Sequence, residues 1–128
     1  MKKLLLLLLL IPNLVMANWK LVVQDGIGGS KYVDFEQIHI LDGYLYYKVL
    51  EDYYEKNFFG DRSEIVYFKG DCNNFRIEAR SFETFTGQMG KGKQSTGITA
   101  FSKKRMEKVG PNSINGRILK SVCSNAYK

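Results

Sequence analysis

The sequence predicts an α+β domain in which five or six antiparallel strands are followed by one C-terminal helix. Three observations point to it. From residue 19 to residue 85, short segments alternate apolar and polar side chains, and turn residues separate them. After Gly110-Pro111-Asn112-Ser113 the apolar spacing becomes helical. Two cysteines, Cys72 and Cys123, fall at a strand end and on that helix.

Ahead of these elements stand a basic start (Met1, Lys2, Lys3), an apolar run over residues 4–11, and Val15-Met16-Ala17. That order is a secretory signal, so residues 1–17 are expected to be removed and residues 18–128 to form a single domain. The run is far shorter than the roughly 20 residues a membrane-spanning helix needs. Losing Lys2 and Lys3 lowers the formal charge from +6 to +4. A multidomain enzyme, a transporter and an intracellular dinucleotide enzyme fit poorly. Export is expected, to the periplasm of a Gram-negative cell, with secretion or surface association as alternatives. Asn18, not a cysteine, would begin the mature chain, so no lipid anchor is expected.

Trp19-Lys20-Leu21-Val22-Val23 reads as the first strand, with Trp19, Leu21 and Val23 on one face, although Val22 breaks the alternation. A glycine-rich turn leads to a short second strand over residues 31–35. Asp42-Gly43 opens a third, in which Leu45, Tyr47 and Val49 oppose Tyr44, Tyr46 and Lys48. After a loop at 57–61, residues 63–69 form a fourth strand, with Ile65 and Tyr67 opposed to Val66 and Phe68. Phe75, Ile77 and Ala79 then alternate with Arg76, Glu78 and Arg80, giving one buried and one wet face. A change of phase at Phe82 suggests a bulge, a twist or an aromatic on the other side.

Residues 87–97 read as a mobile loop or the end of a long hairpin. Helix and strand compete over 98–109. Ser113 is placed to cap a helix over 113–123, whose face carries Ile114, Ile118, Leu119, Val122 and Cys123. Gly116 weakens that helix by roughly 0.5–1 kcal/mol relative to alanine.

Two cysteines in an oxidising compartment have one intramolecular pairing available; two buried thiols or an intermolecular bond are the alternatives. Neither lies in a CxxC, so thiol exchange is not indicated. His39, the one histidine, sits between Ile38 and Ile40, where a structural or surface role fits better than catalysis. No metal-ligand spacing and no motif for nucleophilic catalysis is present; no enzyme activity and no cofactor are expected. Gly87-Gln88-Met89-Gly90-Lys91-Gly92-Lys93 has the spacing of a phosphate loop. Gln94, however, replaces the hydroxyl that would hold magnesium.

The basic residues Lys103, Lys104 and Arg105 suit an anionic surface, or simply a solvated face. Secretion and the lack of a recognition motif argue against nucleic acid. Tyr44, Tyr46, Tyr53 and Tyr54, together with Lys91 and Lys93, complete a candidate interaction surface. Aromatics that a one-sided sheet cannot bury suit protein binding, although filling a small core is the alternative use.

Several segments, in order, resemble the surface-adhesin protein E-like family of small exported bacterial domains. They are Trp19-Lys20-Leu21-Val22, Lys31-Tyr32-Val33-Asp34, the aromatic third strand, Gly70-Asp71-Cys72, Gly110-Pro111-Asn112-Ser113 and Ile118-Leu119-Lys120-Ser121-Val122-Cys123. The resemblance implies a curved antiparallel sheet of about six strands, with the helix packed on one face and joined to it through Cys72 and Cys123. It also implies an exported binding or interaction domain of the envelope. The adhesin-type members are similar to lipid-anchored proteins that engage host extracellular proteins. The alternatives are a small periplasmic enzyme with an unrecognised cleft, or a structural envelope protein without a selective ligand.

Overall fold

The computed structural model describes residues 17–127 apart from positions 25 and 27. The predicted signal segment therefore lies, except for Ala17, outside the described residues. The strands are β1 (Lys20–Gln24), β2 (Gly29–Val33), β3 (His39–Leu41), β4 (Tyr44–Tyr53), β5 (Ser63–Asp71), β6 (Arg76–Phe85), β7 (Gln94–Ala100) and β8 (Glu107–Lys108). They form one open antiparallel sheet in the order β1-β2-β4-β5-β6-β7. β3 continues alongside β4 beyond β2, and β8 continues alongside β6 beyond β7. The six-strand path matches the expectation, and the two short strands are additions to it.

Helix α1 (Ile114–Ala126) packs on one face and runs three residues beyond the predicted end. The Ser113 hydroxyl accepts a hydrogen bond from the Gly116 amide at 3.0 Å, which satisfies one of the helix's unpaired first-turn donors. Ile118, Leu119 and Val122 are buried against Val33, Leu45, Tyr47, Val49 and Ile77. Cys123 is bonded to Cys72 with Cα atoms 5.9 Å apart, so the predicted staple is present.

Gly116 has a use that propensity alone does not reveal. A Cβ there would lie 2.8 Å from the Gly110 carbonyl carbon and closer still to its oxygen. The segment before the helix folds back onto this position, so the missing side chain is a packing requirement. Gly116→Ala is expected to destabilise by about 1–3 kcal/mol through overpacking, despite alanine's better propensity. Urea unfolding checks this; an alanine variant as stable as the parent would show that the Gly110 segment yields freely.

Other expectations need correction. The pairing of β1 with β2 skips Val22: Leu21 pairs with Tyr32 and Val23 with Lys31. This bulge separates residues expected to share a face, leaving Leu21 54% exposed and Val23 3%. The second strand stops at Val33, because Asp34 accepts from the Glu36 amide and starts a 3-10 turn over Phe35–Gln37. β3 was not anticipated; Asp42 and Gly43, both at positive φ, turn it into β4. In β6, Arg80 is the extra residue between the pairs Phe68–Ala79 and Tyr67–Ser81, so the phase shift is a bulge. Glu78, expected on a wet face, is buried.

Residues 86–93 are a tied hairpin end. The Thr86 amide donates to the Lys93 carbonyl, and the Gly87 amide donates to the Lys91 carbonyl. The Met89 amide donates to Asp52 Oδ1 at 2.8 Å, and the Gly90 amide to Ser63 Oγ at 2.9 Å. A strand follows this turn, so the strand–loop–helix context of a phosphate loop is missing.

Candidate functional site

Directly paired residues of an antiparallel sheet share a face, so the registers define the surface opposite the helix. One row is His39–Tyr46–Lys69–Glu78, and the next includes Lys48–Tyr67–Ser81. Alternation along β4 turns Leu45, Tyr47 and Val49 toward the helix and leaves Tyr44, Tyr46 and Lys48 on this opposite face. Cations lie over the rings here: Lys69 Nζ is 4.1 Å from the Tyr44 ring centre, and the Arg80 guanidinium is 5.8 Å from that of Tyr46. Lys48 Nζ is 5.6 Å from the Trp19 ring. All three distances fall within the range of a cation–π attraction. Between these groups lies a shallow hollow of about 320 Å³, lined by Gln37, His39, Tyr46, Lys48, Tyr67 and Arg80.

Tyr67 is held by one acidic neighbour, Glu83. Its hydroxyl donates to Glu83 Oε1 at 3.1 Å, while Gln94 Nε2 donates to Oε2 of the same carboxylate. Burial, then the Glu83 charge and hydrogen bond, push the Tyr67 phenol up to about 12. On the helix-side face, burial raises Tyr47, and burial together with a 2.6 Å bond to Glu64 raises Tyr53. A phenol whose folded pKa exceeds its unfolded value of about 10 stabilises the fold fully below pH 10. That contribution fades as the pH rises through the folded value. Tyr47, Tyr53 and Tyr67 are therefore expected to ionise only as the sheet unfolds above pH 10. An absorbance titration in which all eight tyrosines ionise near pH 10, with the strand circular dichroism intact, would contradict this.

The structure distributes the sequence-predicted surface over separate places. Tyr44 and Tyr46 lie on the face just described. Tyr53 points to the helix side and bonds Glu64, and Tyr54 follows it at the sheet end. Lys91 and Lys93 are exposed on the β6–β7 turn. Lys103, Lys104 and Arg105 occupy the irregular β7–β8 connection, and Lys103 and Arg105 border a hollow with Phe68 and Phe101. Sequence reasoning missed Trp19, Lys48, Tyr67, Lys69 and Arg80 as one group. The parity of Lys48 with Tyr44 and Tyr46 and that of Arg80 with Glu78 were usable signals, whereas Ser81 reaches this face through the bulge at Arg80.

His39 lies at the rim of the same hollow, with Ser81 also lining it. Among the described residues, no hydrogen bond joins His39 to a serine or a carboxylate, and no group of three or more His, Cys, Asp or Glu forms a metal cluster. The arrangement supplies flat aromatic contact area, positive charge and hydrogen-bonding edges.

Comparison with known proteins gives no match among curated sequences. Solved structures of Haemophilus influenzae protein E share the fold. Its crystal form II superposes with a TM-score of 0.71 at 16% identity, covering 91% of this chain and 95% of that one. A second structure of the same protein gives 0.63 at 17% identity and 89% coverage of each chain. Protein E from a non-typeable strain gives 0.61 at 14%, covering 88% of this chain and 80% of that one. The surface-adhesin protein E family profile matches residues 19–124, and the chain belongs to that family.

Proposed function

We propose that this protein is an exported, non-catalytic interaction domain of the bacterial envelope. It holds a protein partner on the sheet face formed by Trp19, Tyr44, Tyr46 and Tyr67 with Lys48, Lys69 and Arg80. The observation that carries this reading is the set of three cation–π pairs around an open hollow on the face that the helix leaves uncovered. Aromatic side chains offer large contact area with few rotatable bonds, and tyrosine, tryptophan and arginine dominate the energetics of protein interfaces. The adhesin family supports a binding role. Lys48 and Lys69 beside the rings favour an acidic partner surface, while Arg80 pairs with Glu78 at 3.6 Å on the same face. No helix among the described residues is long and apolar enough to cross a membrane.

Photo-crosslinking in the native envelope tests the face directly. A photoreactive residue at position 44 or 46 is expected to capture one discrete protein, and the same probe at Lys120, on the exposed side of α1, is not. Tyr67→Ala should weaken capture from position 46 by about tenfold, the scale of one truncated interface hot spot. Equal capture from positions 46 and 120, or none from positions 44 and 46, rejects this face.

A further inference from the structure

The β4–β5 connection carries two adjacent phenylalanines that the described residues leave largely uncovered. Phe58 is 96% exposed and Phe59 is 81% exposed, and their rings meet edge to face at 5.4 Å. The turn that carries them is tied internally. Asn57 Oδ1 accepts from the Phe59 amide at 3.0 Å and from the Asp61 amide at 2.9 Å. The Asn57 carbonyl accepts from the Gly60 amide, and the Asn57 amide donates to the Asp61 carbonyl. Asp61 is itself anchored, accepting from the Ser95 hydroxyl on β7. The turn that presents the rings is thus fixed; Phe58 is almost fully exposed, and Phe59 stands at the rim of a hollow lined also by Glu64, Phe82 and Thr84.

The exposed charges of the β4–β5 and β6–β7 turns are mostly basic. The register Asp52–Ser63–Phe85–Gln94 brings the β4–β5 turn and the β6–β7 turn to the same end of the sheet. Lys56, Lys91 and Lys93 are exposed there, against Glu55 as the exposed acid among the described residues of the two turns. The neighbouring acids are engaged: Asp61 with Ser95, and Asp52 with the Met89 amide.

We propose that this end of the sheet docks on an anionic phospholipid bilayer, with Phe58 and Phe59 entering the interface and Lys56, Lys91 and Lys93 meeting the headgroups. Most of the turn's amides, those of Asn57, Phe59, Gly60 and Asp61, are paired within the turn, which lowers the cost of bringing its backbone to the interface. A protein partner would instead draw on directional hydrogen bonds at its rim, and this tip has used those amides internally. Aromatic rings flanked by lysines form the pattern by which peripheral elements hold an anionic interface. Docking by this end stands the strands upright on the membrane. The aromatic and basic face lies along the strands and remains open to a partner, so the two surfaces are independent.

The test uses the processed, oxidised protein isolated after export. It should sediment with phosphatidylcholine vesicles that contain phosphatidylglycerol and not with phosphatidylcholine alone. Phe58→Ser combined with Phe59→Ser should weaken partitioning by about tenfold or more. Both rings are exposed, so the thermal melt should stay unchanged. Lys91→Gln with Lys93→Gln should weaken it further and flatten its salt dependence. A Phe58→Trp variant should gain emission that brominated acyl chains quench. Failure to bind anionic vesicles, or binding undiminished by the double serine variant, overturns the proposal. So does self-association that the serine variant abolishes without any vesicle binding, which would assign the rings to a second copy.

Discussion

Leu119→Ala is expected to destabilise the oxidised domain by about 2–5 kcal/mol, the range for deleting a large buried aliphatic side chain and leaving a cavity. Leu119 is 0% exposed and lies on the α1 face between Ile118 and Val122, both also buried. Its fit depends on a glycine across the interface. A Cβ on Gly70 of β5 would stand 2.8 Å from Leu119 Cδ1 and 3.0 Å from Tyr47 Cε1. The sheet is thinned at Gly70 so that the leucine can descend onto it, beside the stacked rings of Tyr47 and Phe68 at 5.5 Å. Gly70→Ala alone should therefore also destabilise, by overpacking of about 1–3 kcal/mol. Combined with Leu119→Ala it should cost less than the sum of the two, because the added methyl group enters the space that leucine vacates. Urea unfolding of the four proteins in this cycle measures the coupling. A Leu119→Ala loss below about 0.5 kcal/mol, no more than a surface substitution costs, would mean that this helix face does not carry the fold.

Period-two and helical spacing were enough to place the long elements, because each long element buries one continuous face. Leu45, Tyr47 and Val49 oppose Tyr44, Tyr46 and Lys48 as the spacing implies, and α1 buries Ile118, Leu119 and Val122 behind the Ser113 cap. What stayed hidden depends on pairing with other strands. The bulges at Val22 and Arg80 each insert a residue that only the partner strand's register reveals. β3 has three exposed residues, too few and too wet to show an alternation, yet it brings His39 beside Tyr46. The candidate face is illegible in the same sense. Trp19, Tyr46, Tyr67 and Arg80 come from four strands or their flanks, and no spacing within one segment links them. The Phe58-Phe59 pair is plain in the sequence. Its exposure follows from the hydrogen bonds of Asn57 rather than from any periodicity.

Removing the disulfide with Cys72→Ala and Cys123→Ala is expected to lower stability by about 4 kcal/mol, the loop-closure value for a separation of 51 residues. That is a large part of the roughly 5–15 kcal/mol by which a domain of this size is usually stable. The local structure explains why the bond forms without rearranging its surroundings. Asp71 Oδ1 accepts from the Asn73 and Asn74 amides at 3.0 and 3.1 Å, and Oδ2 accepts from Asn74 Nδ2 at 2.9 Å. These bonds, led by the Asn74 side chain, hold the Asp71 carboxyl below the usual carboxylate range and fix the turn that carries Cys72. The stability that Asp71 adds is present above its unfolded pKa of about 4 and is lost as the pH falls through its lower folded value. Cys123 is positioned independently, one residue beyond buried Val122 on α1. Non-reducing peptide mapping should recover a single Cys72–Cys123 pair, and urea unfolding of the double-alanine protein should give the loss. Hydrogen exchange then separates two ways of losing it. If the bond acts mainly on the unfolded chain, protection should fall together in α1 and in β4–β6. If it mainly pins the helix, only the α1 amides should lose protection. Leu119, Ile118 and Val122 already hold the helix to the sheet, so the uniform loss is the expected one. A double-alanine protein as stable as the oxidised parent would leave the staple without a stabilising role.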